Sequence, residues 1–179
     1  MSKVNHQILL AGFGGQGILF AGKFLVYAGM LGGYEVSWLP SYGPEMRGGT
    51  CNCSVNISSD PIGSPIITNP TVLMAMNIPS FDKFEMKTVP GGKTFVDSSL
   101  ISRQAARDDV STFYVPATQL ARDNDMSKLA NIILVGKIIK EIGFDDEELI
   151  KKTMEKVVPA KKPELFDLNM KALKIGMDL

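Results

Sequence analysis

Short apolar runs alternate along this chain with longer stretches of helical period. Gln7–Ala11 is continuous and strand-length, so it reads as a buried parallel strand. From Gly15 to Leu31 the pattern is that of a helix, with Ile18 opening its apolar run and Lys23 as its only charged residue. Such a helix is apolar nearly all round and needs cover on more than one side, by the sheet and by a second body for which another subunit is a candidate. Gly32-Gly33 ends it, and Tyr34–Leu39 reads as a second strand. Thr50–Ile57 alternates cleanly: Cys51, Cys53, Val55 and Ile57 share one face, while Thr50, Asn52, Ser54 and Asn56 share the other. That period of two predicts a half-buried strand. Val72–Met76, Lys93–Val96 and Thr112–Val115 are further strand candidates. Ser80–Lys87 and Met126–Ile142 are helix candidates, the second stopped by Gly143. Asp145-Asp146-Glu147-Glu148 opens another helix, its acids at the positive end, and Pro159 breaks it. Lys161–Leu179 closes the chain as a helix. Strands alternating with helices predict an α/β fold with a mainly parallel sheet flanked by helices.

With 179 residues and 45% hydrophobic content, the chain suits one domain, 1–179, with a real core. Its charge is balanced, 19 Lys+Arg against 19 Asp+Glu, which gives no global electrostatic case for nucleic acid or an anionic membrane. No run reaches the length of a membrane span. The start, Met1 to His6, lacks a signal-peptide pattern, so a cytoplasmic protein is expected. Two cysteines and one histidine leave little for a metal site.

The densest chemistry lies between the first strand and the first helix. Gly12-Phe13-Gly14-Gly15-Gln16-Gly17 fits G-x-G-x-x-G at Gly12, Gly14 and Gly17, in the strand–turn–helix setting of a Rossmann-like, three-layer fold. Such a turn brings backbone close to a phosphate and aims a helix N-terminus at it. It also serves simply as a tight turn with close strand–helix packing. A nicotinamide dinucleotide site places an acid at the end of the second strand, and Val36–Pro40 offers none; Glu35 lies at the strand's start. Gln16 reads either as a helix-terminal cap or as a ligand contact. The second segment, Ser41-Tyr42-Gly43-Pro44-Glu45-Met46-Arg47-Gly48-Gly49, carries Tyr42, Glu45 and Arg47 among three glycines. Its glycine density favours contact with a ligand or partner, Arg47 bonding a carboxylate or phosphate, over an internal Glu45–Arg47 pair. Core packing is the favoured role of Cys51 and Cys53. His6 reads as a terminal surface residue, and Trp38 as a core or interface residue.

These two motifs together resemble the gamma subunit of 2-oxoacid:ferredoxin oxidoreductases, whose pattern is G-x-G-G-Q-G followed by S-Y-G-P-E-x-R-G-G. Ala75-Met76-Asn77, Pro90-Gly91-Gly92 and Leu168–Leu173 are also similar to that family. The resemblance implies a heteromeric complex that converts a 2-oxoacid and coenzyme A to acyl-CoA, carbon dioxide and reduced ferredoxin or flavodoxin. 2-Oxoglutarate is the favoured substrate, and branched-chain 2-oxoacids or pyruvate are alternatives. Thiamine diphosphate and iron–sulfur clusters are implied on partner subunits, with no cofactor held by this chain alone. Coenzyme A is a possible ligand here, and a homodimer contact is possible. The implied binding positions are Gly12, Gly14, Gly15, Gln16, Gly17, Ser41, Tyr42, Gly43, Glu45, Arg47 and Gly48; no catalytic residue is assigned. A stand-alone Rossmann nucleotide-binding enzyme is the remaining alternative.

Overall fold

The computed structural model describes residues 3–42 and 50–179. Six strands form one sheet in the order β2-β3-β1-β4-β5-β6. The strands are β1 (Asn5–Phe13), β2 (Glu35–Tyr42), β3 (Thr50–Ser58), β4 (Val72–Ala75), β5 (Lys93–Asp97) and β6 (Ser111–Val115). β1, β4, β5 and β6 pair in parallel. β3 runs antiparallel to both β1 and β2, so five strands point one way and β3 alone reverses. The mainly parallel α/β expectation holds.

Helices α1 (Ile18–Leu31), α2 (Ile78–Phe84), α3 (Ala117–Asp123), α4 (Ala130–Ile142), α5 (Glu147–Val157) and α6 (Pro163–Met177) complete the fold. The main core sits on the sheet face carrying Ile8, Leu10, Cys53, Val55, Met74 and Phe95, beneath α1, α4, α5 and α6. The alternate strand positions Ala75 and Val96 face the other way, where Phe81 of α2 and Ile101 cover them. α1 is covered by β2 and β3 on one side and by α4 and α5 on the other.

Several elements start where local chemistry dictates. Asn77 caps α2, its Oδ1 accepting from Ser80 N at 2.8 Å. Asp146 caps α5 through Leu149 N at 2.8 Å, with Glu147 and Glu148 in the first turn, as the acidic opening suggests. α4 and α6 cross at glycine: a Cβ on Gly136 would strike the backbone of Leu173, and one on Gly176 the backbone of Ile133.

Four expectations need correction. β3 is not half-exposed: its polar positions Ser54, Asn56 and Ser58 are buried too. Asn56 Nδ2 donates to Ser37 Oγ (2.9 Å) and Pro65 O (3.3 Å), so the loop after β3 folds over that face. His6 is not a terminal surface residue; its ring meets Phe144 edge-on at 5.8 Å. Burial and the nearby Lys93 ammonium push its pKa below the ordinary value. α4 begins at Ala130 rather than Met126, because Met126–Leu129 close a separate turn in which Leu129 N donates to Met126 O at 2.8 Å. α3 was not anticipated. It is held from outside, by Asp97 at the end of β5: Thr118 N and Oγ1 donate to its carboxylate at 3.3 and 2.6 Å.

Candidate functional site

The parallel strands end together along one edge of the sheet, and there the glycine turn and the start of the second motif, Ser41-Tyr42, both lie. Gly12 of β1 pairs with Cys51 of β3, and Cys51 pairs with Tyr42 of β2. Ala11, Asn52 and Ser41 form the next row inward. The glycine turn and the start of the second motif therefore stand two strands apart, about 9–10 Å at ordinary strand spacing. This edge also lies where the chain's direction of winding changes: β1 continues through α1 to β2 and β3 on one side, while β4 lies on the other. Open α/β sheets characteristically bind ligands at the carboxyl ends of strands beside such a switch point.

The turn itself is tightly specified. Gln16 N donates to Phe13 O at 3.2 Å. The Gln16 side chain then joins two strands: Oε1 accepts from Phe13 N (2.7 Å), and Nε2 donates to Met76 O, just past β4 (3.0 Å). Gly12 packs beneath it, where a Cβ would come within 2.6 Å of Gln16 Oε1 and 2.8 Å of Ile18 Cδ1. Gly17 is the N-cap of α1 at φ 76°, a conformation that favours glycine. Its carbonyl accepts from Asn131 Nδ2 of α4 at 2.9 Å. Gly15, at φ 97°, is exposed, and a Cβ there would meet nothing within 4 Å among the described residues. Gly14 is half-buried and Ser41 is exposed.

No side chain caps α1, and its first turn contains no acid. Its leading N–H groups keep the partial positive charge of a helix N-terminus. Glycines, free amides and, among the described residues, no acid in the first turn of α1 suit an anionic oxygen, such as a phosphate or carboxylate. A dinucleotide ribose finds less. β2 carries one acid, Glu35, at the far end of the strand, and β3 separates the whole strand from β1.

Of the positions singled out in the sequence, Gly12, Gly14, Gly15, Gln16, Gly17, Ser41 and the backbone of Tyr42 come together at this edge. Gly43, Glu45, Arg47 and Gly48 lie outside the described residues, as does the Glu45–Arg47 pairing alternative. Gln16 does not cap α1; it ties β1 to β4. Sequence reasoning missed Asn131, whose role depends on α4 packing against α1. Asn77 carried a visible signal, a polar residue between an apolar strand and Ile78-Pro79.

Cys53 is fully buried, its thiol 3.6 Å from Ile18 O, and burial pushes its pKa up to about 12. Burial raises that of Cys51 as well. Both thiols are free and lie in the core face, as the period of two implies. Trp38 is not a core residue: it is 40% exposed, with Nε1 beside Gly22 of α1. Among the described residues, no helix is long and apolar enough to cross a membrane.

Comparison with known proteins identifies the family. Residues 7–179 match the model of the family described as pyruvate ferredoxin/flavodoxin oxidoreductase. Ketoisovalerate oxidoreductase subunit VorA of Methanothermobacter thermautotrophicus is 37% identical over 174 residues, 96% of this chain and 36% of VorA. The chain thus spans about a third of that relative's length. 2-Oxoglutarate synthase subunit KorC of Methanocaldococcus jannaschii is 33% identical over 160 residues, 88% of this chain and 86% of KorC. The fold is similar to the crystal structure of a keto/oxoacid ferredoxin oxidoreductase gamma subunit from Geobacter sulfurreducens, with a TM-score of 0.81 and 27% identity, covering 97% of this chain and 96% of that one. Family match, relatives and fold converge: the chain belongs to the pyruvate ferredoxin/flavodoxin oxidoreductase family.

Proposed function

We propose that this chain is the gamma component of a multi-subunit 2-oxoacid:ferredoxin or flavodoxin oxidoreductase. The complex converts a 2-oxoacid and coenzyme A to acyl-CoA and carbon dioxide, with electrons passing to the acceptor protein. The observation that carries this reading is the pairing register, which sets the glycine turn and the start of the Ser41–Gly49 segment at one sheet edge.

Gly15, Gly17 and the leading amides of α1 are the groups to hold an oxyanion, and a phosphate of coenzyme A fits that donor set. Gln16 positions this turn through its bonds to Phe13 and Met76 rather than through a free donor. Arg47 is the proposed second anion contact, with Ser41, Tyr42, Gly43, Glu45 and Gly48 completing the segment. Thiamine diphosphate and iron–sulfur clusters are assigned to companion chains. Cys51 and Cys53 are unsuited to a cluster, since both thiols face the packed core. Of the candidate 2-oxoacids, 2-oxoglutarate is the reading taken from the sequence, and the higher identity to VorA supports ketoisovalerate as the second.

The test is reconstitution. The purified chain is expected to show no turnover with 2-oxoglutarate or ketoisovalerate, coenzyme A, thiamine diphosphate and a viologen dye. Addition of the thiamine-binding and cluster-binding companion chains should restore it. Turnover by this chain alone would overturn the proposal, and the preferred oxoacid in the restored complex decides between the two substrates.

A further inference from the structure

α1 departs from the usual surface helix in having no polar face. Leu19, Val26 and Met30 recur at helical spacing on one flank, where Leu19 and Val26 pack partly against the core and Met30 lies outward. Leu19 and Val26 are half-buried, and Met30 is 47% exposed. This flank adjoins the free edge of the sheet, because Gly22 and Gly29 on the neighbouring stripe let β2 lie close against the helix. A Cβ on Gly22 would reach Trp38 Nε1 at 3.1 Å, and one on Gly29 would reach Val36 Cγ1 at 2.8 Å. Trp38, the chain's one tryptophan, therefore extends the α1 stripe onto β2, which has no outer strand neighbour among the described residues. Exposed apolar patches of this kind, rimmed by polar groups, mark association surfaces.

We propose that the α1–β2 flank is the docking surface for the companion polypeptide that corresponds to the remainder of the longer VorA chain, an inference that rests on the gamma-component reading. Two observations single out that occupant. First, VorA carries a segment similar to this chain within a polypeptide nearly three times as long, since the match covers 36% of it. Second, the flank is continuous with the candidate site. Leu19 lies just beyond the glycine turn and Trp38 three residues before Ser41, so a body seated here reaches the strand ends and completes that edge.

Charge argues against a second copy of this chain. Lys23, the only charged residue of α1, stands near the middle of the stripe. Two-fold packing through that middle would set two ammonium groups against each other. The companion face that fits is apolar, with a carboxylate opposite Lys23. Pro40 interrupts the hydrogen-bonding groups of the β2 edge, which favours side-chain packing over strand addition.

The experiment labels this chain with 5-fluorotryptophan, so that fluorine resonance reports Trp38 alone even in the assembled complex. On adding the companion chain, the Trp38 signal should shift and lose its solvent-isotope dependence. Met30→Glu and Lys23→Glu should each weaken association about tenfold or more, while Met30→Leu retains it. Both charged variants alter partly exposed positions, and melting curves verify that they fold. If the complex forms but Trp38 does not respond and both charged variants bind like wild type, the flank is not the docking surface and the gamma-component reading stands. If the wild-type chain forms no complex, that reading fails and takes this inference with it. Self-association of the chain alone, abolished by Met30→Glu, would make a second copy the occupant and overturn the proposal.

Discussion

Cys53 illustrates what a single position reveals from sequence and what it hides. Alternation along β3 places its thiol on the apolar face, and the structure leaves it fully buried with a pKa raised to about 12. A raised thiol pKa means that the native state keeps a proton the unfolded chain releases. Its contribution is therefore intact below the ordinary thiol value of 9.0 and is lost as pH rises from there toward about 12. Native protein at pH 8 should react with a thiol reagent at Cys53 only through opening, and the rate should jump in denaturant. Fast native labelling of Cys53, read by peptide mass, would contradict its burial. His6 was hidden for the opposite reason. Nothing beside it in the chain announces that Phe144 packs against its ring. Arg47 is expected to act in the proposed site and not in the fold. Arg47→Ala should alter stability of the isolated chain by about 0.5 kcal/mol or less. In the reconstituted complex it should lower turnover at limiting coenzyme A. Unchanged turnover there would remove it from the site.

Elements were legible where their causes are local. The acidic start of α5, the glycine after α4 and the alternation of β3 each lie within a few residues of what they determine. α3 was illegible because its N-terminus is held by Asp97, a residue of another element. The buried polar face of β3 was illegible because its cover comes from a later loop. The α4–α6 crossing belongs to the same class: Gly136 and Gly176 look like weak points in two helices, yet each admits the backbone of the other helix. Gly136→Ala and Gly176→Ala should each cost about 3 kcal/mol or more, because backbone, unlike a side-chain tip, has nowhere to move. Gly15→Ala, strained only by its positive φ, should cost about 1–2 kcal/mol. Urea denaturation compares the three. A helix substitution costing less than Gly15→Ala would show that the crossing yields.

For the molecule as a whole, alternation of strands and helices implied the layered α/β fold, and the two glycine-rich motifs implied the family. The reversed β3 between β1 and β2 was not legible, because pairing order depends on contacts across the sheet. The insertion of β3 moves β2 one place outward, so its one acid, Glu35, stands away from the glycine turn where a ribose would need it. Calorimetry should accordingly find coenzyme A preferred over NAD, in the isolated chain and in the complex. Tight NAD binding without a coenzyme A response would reverse that ranking.

The Gln16 carboxamide has a kinetic consequence. Both of its ends are engaged by the backbone of adjoining strands, so the turn has its final shape before any ligand arrives. Its amides need no ordering at the moment of encounter, and little conformational entropy remains to be lost there. For the proposed anion site, association should then be governed by diffusion and orientation, and differences in affinity among anionic ligands should appear chiefly as differences in how long each one stays.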